Sequence, residues 1–194
     1  MVEVRGGSGL GKALGAMSDS VSKASKVDVG FLENSTYPDG TSVPMVAAIQ
    51  EYGAPKARFP IPARPFFRTM IKEKSGEWPK AVADLLKMNK LDTYKTLDQM
   101  GQAIKGQLQQ SIVDMNSPAL SPVTLMLRAL VGPNGKVEGI GQVYQAIRLV
   151  QAGQTPDSYL RSKGKRPKAG GQAVSAKPLV WTGHLLNSVD YKVS

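Results

Sequence analysis

IQEYGAPKARFPIPARPFFR, residues 49–68, packs four prolines, three arginines and four aromatic residues into twenty positions, none of them in a catalytic pattern. Pro55, Pro60, Pro62 and Pro65 each remove a backbone donor and turn the preceding residue away from the helical region. The stretch from Gly53 to Pro65 is therefore expected to be extended. Ser42 can cap a helix over Val43–Tyr52, which Gly53 and then Pro55 would stop.

Downstream, two longer helical stretches are predicted at about 66–88 and 92–115. In the second, Leu97, Ile104, Leu108 and Ile112 form an apolar face, while Lys95, Gln102, Lys105 and Gln109 take the other side. Ser121 and Pro122 are a cap and first-turn pair for a short helix through Leu130, closed by Gly132 and Pro133. Upstream, Leu10, Leu14, Met17 and Val21 fall on one face of an amphipathic helix over 9–24. Val27, Val29 and Phe31 alternate as a half-buried strand before the turn YPDGT at 37–41, and Val189, Tyr191 and Val193 alternate as a last strand after a turn capped by Thr182. The expected organisation is an N-terminal helical extension (1–26), a core (27–131 with 177–194), and an inserted, glycine-rich basic arm (132–176) that is partly mobile and holds one short periodic piece, Val143, Ile147 and Val150.

The 194 residues suffice for one domain of ordinary size. There is no cysteine and one histidine, His184, so disulfides, thiolate metal sites and cysteine nucleophiles are excluded and a zinc site would lack ligands. The N-terminal residues lack the apolar run of a signal peptide, and no apolar run reaches the roughly 18 residues of a membrane span. These features predict a soluble chain without a metal or cofactor. The formal charge is +10. No acid occurs between Asp157 and Asp190, where Arg161, Lys163, Lys165, Arg166, Lys168 and Lys177 lie. The run 161–168 could meet nucleic-acid phosphates or an acidic protein surface, and both readings stand.

GGSGLGK, residues 6–12, has the spacing of a phosphate-binding loop, but Ala13 replaces the hydroxyl that should hold magnesium, and the preceding VEV is too short for a buried strand. His184 has no serine and acid in a recognisable elbow. Asp190 and Glu138 have no partner carboxylate at a telling spacing. No catalytic set emerges, and the chain is read as a non-enzyme.

MVAAIQEYGAPKARFPIPARPFFR (45–68), LSPVTLMLR (120–128) and KPLVWTGHLLNSVDYKV (177–193) together resemble the tail-completion, or neck, proteins of long-tailed bacteriophages. The shared pattern is a helix ending in E-[FY]-G, a P-x-R-P-F segment, a central helix, then P-L-x-x-T-G-x-L-x-x-S-[IV] before a terminal strand. Trp181 stands where many members carry an aspartate.

The resemblance implies an α+β fold: a small twisted antiparallel sheet, with strands near 27–32 and 188–193, packed against one long helix and several short ones. It implies a structural virion protein that completes the tail and joins it to the head, assembled in the host cytoplasm. Its partners would be its own copies, in a ring of six, together with the head-tail connector and the tail terminator or tube. DNA would pass through the ring without sequence-specific binding. Arg64, Pro65, Phe66, Phe67, Arg68, Trp181 and Leu185 are expected at subunit or ring interfaces, with the prolines leaving the backbone of a rigid strap, the proline-rich segment that ends in IPARPFFR, free of hydrogen-bond demands. Arg161, Lys163, Lys165, Arg166 and Lys168 are candidates for contact with phosphate or an acidic partner. The alternative is a DNA-binding protein acting through 161–168.

Overall fold

The computed structural model describes residues 7–21, 24–132, 137–165 and 174–194. These form a mixed α and β structure that divides into two units. The first comprises Met1–Met45, Phe66–Ser111 and Ser188–Ser194, and the second Val46–Pro65 and Ile112–Asn187.

The first unit holds the sheet. Strand β1 (Val27–Phe31) pairs antiparallel with β2 (Val189–Val193), matching Val27 to Val193, Val29 to Tyr191 and Phe31 to Val189. The predicted alternation thus places three apolar pairs on one face. The ladder continues past the strand ends, where Lys26 and Ser194 exchange backbone hydrogen bonds of 2.9 and 3.0 Å.

The long helix α5 (Thr93–Asp114), whose first nineteen residues belong to this unit, lies against the sheet. Gly101 makes the approach possible: a Cβ there would overlap the Tyr191 ring and sit 2.9 Å from Val27 Cγ2. Polar contacts flank this crossing. The Tyr191 hydroxyl donates to Asp98 Oδ1 at 2.9 Å, and Lys105 Nζ pairs with Asp190 Oδ1 at 3.0 Å. The hydrogen bond from Lys105 comes first among the causes that hold the Asp190 carboxyl below its ordinary value.

Helix α1 (Gly7–Val21) begins the described chain, and α2 (Val43–Tyr52) follows the turn after β1. Leu14 and Met17, read as part of an apolar face, are 57% and 49% exposed. The end of α1 is tied to α5 by the Thr93 hydroxyl, which donates to Ser20 O at 2.8 Å.

The stretch read as one helix over 66–88 is two: α3 (Phe66–Lys74) and α4 (Trp78–Met88), separated by a 3-10 turn at Ser75–Glu77. Gly76 lowers helix propensity there, and Pro79, in the first turn of α4, has no N–H to continue the preceding ladder. Phe66 is 1% exposed and meets Phe31 edge-on, with centroids 6.2 Å apart at 83°. Val43, Met70, Met100, Leu108 and Val189 are buried in the same unit.

The second unit is built on α6 (Pro122–Val131), which begins as expected with Ser121 accepting from Thr124 N at 3.1 Å and Pro122 in the first turn. Glycine-rich 132–176, expected as a partly mobile arm, contains α7 (Ile140–Gln151) and α8 (Pro156–Ser162), and both lie against α6. A capping box between Thr155 and Ser158 starts α8. The turn capped by Thr182 is helix α9 (His184–Asn187). Met126, Ala129, Ala146, Leu179 and Leu185 are buried here. Among the described residues no helix is long and apolar enough to cross a membrane.

Two glycines of α5 should respond oppositely to alanine. Gly106→Ala, with nothing within 4 Å of the new methyl, should raise stability by up to about 1 kcal/mol through helix propensity. Gly101→Ala should lower it, because overpacking against Tyr191 and Val27 costs about 1–3 kcal/mol and outweighs that gain. Urea unfolding of both variants checks the pair.

The lowered folded value of Asp190 means that its stabilising effect is complete above the unfolded value of 3.8 and disappears as pH falls through the folded value. Asp190→Asn should remove that acid-side loss. Urea midpoints compared at pH 6 and pH 2.5 should therefore differ less in the variant than in the parent chain.

Candidate functional site

Three charged residues are buried among the described residues, and all belong to the second unit: Glu51, Arg64 and Arg128. Each comes from one of the segments that carry the resemblance, namely EYG at 51–53, PARPFF at 62–67 and LSPVTLMLR at 120–128.

The geometry begins with Gly53. Helix α2 ends there with φ +77°, in the left-handed region, and Gly53 N donates to Ile49 O at 2.8 Å. A side chain is also barred by space, since a Cβ would lie 2.8 Å from both Ala63 N and Ile61 O. The strap therefore returns directly over the helix end. Ala54 and Ile61 exchange backbone hydrogen bonds of 2.8 and 3.2 Å, and Arg64 N donates to Gln50 O at 2.7 Å.

The strap is thus pinned, which corrects the expectation that its backbone carries no hydrogen-bond demands. The prolines stand at 55, 60, 62 and 65, whereas the pairing donors belong to Ala54 before them and to Ile61 and Arg64 between them.

Arg64 is 4% exposed; its Nε donates to Pro118 O and its Nη1 to Gln50 Oε1, both at 3.2 Å. The Ser117–Pro118 peptide is cis. Arg128, 6% exposed, reaches the other motif segment. Its Nη1 donates to Ser175 O at 2.7 Å and Lys177 O at 2.9 Å, and its Nη2 to Pro178 O at 3.0 Å. Its guanidinium carbon lies 5.2 Å from the Trp181 ring centroid, a cation–π distance.

Burial, reinforced by repulsion from Arg64, pushes the Arg128 guanidinium down to about 10. It remains charged at neutral pH. Because the folded value lies below the unfolded one, charging this group opposes folding; that opposition is complete below about 10 and fades above it. Carbonyl oxygens and an aromatic face offset the cost. With Arg128 donating to three backbone carbonyls and Arg64 to Pro118 O and Gln50 Oε1, the cluster is a joint between chain segments.

The expected interface residues divide by exposure. Arg64, Phe66 and Leu185 are buried within the chain, so their side chains are not presented to another subunit. Phe66 fills the core because it packs on Phe31, and Ser111 donates to its carbonyl at 2.7 Å. Pro65, Phe67 and Trp181 are half-buried, and Arg68 is exposed. Of the basic run, Arg161, Lys163 and Lys165 are exposed at and beyond the end of α8, whereas Arg166 and Lys168 lie outside the described residues.

Gly7–Lys12 of the glycine-rich motif are helical within α1, a geometry different from a phosphate-cradling loop. Among the described residues no group of three or more His, Asp or Glu side chains could hold a metal ion.

Sequence reasoning named LSPVTLMLR as a motif but did not single out Arg128 or Glu51. The available signal was one arginine inside the otherwise apolar run LMLRALV at 125–131. Such a residue on a core-facing helix has to find partners when buried.

Arg128→Ala should cost about 3–5 kcal/mol, because it leaves three carbonyls without their donor, and should lower the melting temperature by about 10 °C. Arg128→Lys should restore only part of this, since an ammonium cannot reproduce the planar fork or the stacking on Trp181. Thermal melts of both variants give the comparison.

No family model matches the chain, and no curated protein or solved structure was found to be similar to it.

Proposed function

We propose that this protein is a structural component of the neck of a long-tailed bacteriophage, completing the tail and joining it to the DNA-filled head through subunit interfaces. The observation that supports this reading is the meeting of the motif segments. Arg64 links the strap to the end of α2 and to Pro118, and Arg128 links α6 to Ser175, Lys177 and Pro178 beside Trp181. Two of the segments that resemble neck proteins, 120–128 and 177–193, are thus joined through Arg128, and the third is fixed on itself and on Pro118 through Arg64.

A joining protein works by shape. A strap restricted by four prolines and pinned at Ile61 and Arg64 loses little further entropy when a neighbour docks against it. On this reading the copies form a ring, of six by the resemblance, and the chain performs no chemistry. Contacts with neighbours fall to Pro65, Phe67, Arg68 and Trp181, which retain exposed area. A channel lined with the whole basic charge would grip DNA and hinder its passage, so on this reading the exposed Arg161, Lys163 and Lys165 face outward or toward an adjoining ring. The DNA-binding alternative predicts steeply salt-dependent binding to random duplex that disappears when 161–168 is neutralised.

The decisive experiment is electron microscopy of lysates from a phage in which this gene alone carries an early stop codon, with complementation as control. Full heads beside separate tails of normal length are expected. Intact, infectious virions would overturn the reading. Complementation with Arg68→Ala should reduce joining while leaving the melting temperature within about 2 °C, as befits an exposed position.

A further inference from the structure

The net charge is divided unequally between the two units. The first contains 13 basic and 11 acidic residues, the second 12 basic and 4 acidic, and one of those four acids, Glu51, is buried. Nearly all the excess positive charge therefore belongs to the second unit.

Within that unit, one patch combines charge with exposed apolar area. The strap's tip, PKARFP at 55–60, carries Lys56 and Arg58 beside Phe59, which is 42% exposed. Arg58 Nη2 donates to the Tyr144 hydroxyl of α7 at 2.6 Å, and its guanidinium carbon lies 5.9 Å from the Tyr144 ring centroid. The tip and the helix thus form a continuous surface. Along α7, Ile140, Tyr144 and Arg148 follow at four-residue intervals and share a face. Ile140 is 44% exposed, Tyr144 39%, and Arg148 is also exposed. Neither PKARFP nor α7 contains an acid; the nearest in sequence, Glu138, precedes the helix.

We propose that this surface, made of Lys56, Arg58, Phe59, Ile140, Tyr144 and Arg148, docks an acidic partner protein whose carboxylates surround an apolar contact. Arginine with tyrosine and phenylalanine is the composition of interface centres, and an excess of one charge selects a partner of the other. Duplex phosphates would leave the exposed phenylalanine and isoleucine unmatched. The Tyr144 ring already has a guanidinium near it, which disfavours stacking by a nucleic-acid base. This proposal rests on the neck reading and deepens it by stating the chemistry of the adjoining component.

The test replaces Phe59, and separately Ile140, with a photo-crosslinking benzophenone amino acid in the protein that complements the stop-codon phage. Irradiated particles should give an adduct to a different virion protein, through a segment rich in aspartate and glutamate. Arg58→Glu with Arg148→Glu should cut the adduct yield at least about tenfold without changing the melting temperature. An adduct to DNA, to another copy of this chain alone or to a segment without acids would overturn the docking proposal while leaving the neck reading intact. So would no adduct at either position, or a yield indifferent to the charge reversal. Particles that form normally without the protein would overturn both.

Discussion

Two guanidiniums buried in one unit repel each other and lose hydration, and the chain segments around them are arranged to offset that cost. Arg128 alone takes three backbone carbonyls and a place beside an indole ring. Removing a partner from such a group is much more damaging than never having buried the charge. In the observed arrangement the segment 175–178 delivers three carbonyls to Arg128 of α6, while Arg64 of the strap takes Pro118 O and Gln50 Oε1. The buried Glu51, one carboxylate in the same unit, lowers the net positive charge there.

The motifs acquire a physical meaning in this light. Glycine ends α2 because the strap returns where a Cβ would stand and because φ is positive. Arginine in the P-x-R-P-F segment holds the strap's return to the helix it has just left. Phenylalanine after it belongs to the other unit, where it packs on β1. Adjacent residues of one short motif therefore serve two cores. The prolines between them limit the unfolded chain's freedom and leave the few remaining donors to make the bonds.

On the proposed reading, this internal use of motif residues leaves recognition to positions that stay exposed. Arg68, the Arg58 and Tyr144 pair and the cations after α8 are examples. Beneath them lie a pinned strap and a helix packed on α6.

Local patterns by themselves determined much of the secondary structure. Alternation marked both strands, Ser42 and Gly53 bounded α2, Ser121 and Pro122 opened α6, and four-residue spacing marked α5. These features depend on neighbouring residues, so they can be read from sequence. Val143, Ile147 and Val150 marked a periodic piece where α7 forms, but the glycine and charge around it obscured the helix's extent and hid α8, and the break at Ser75–Glu77 was hidden by helix formers around it. Only tertiary structure decided that Arg64, Phe66 and Leu185 turn inward while Arg68 stays outside, and that Arg58 meets Tyr144 across 86 positions of chain. Burial and long-range partnership depend on what the rest of the chain brings to a residue, and an arginine can reach either carbonyls or water.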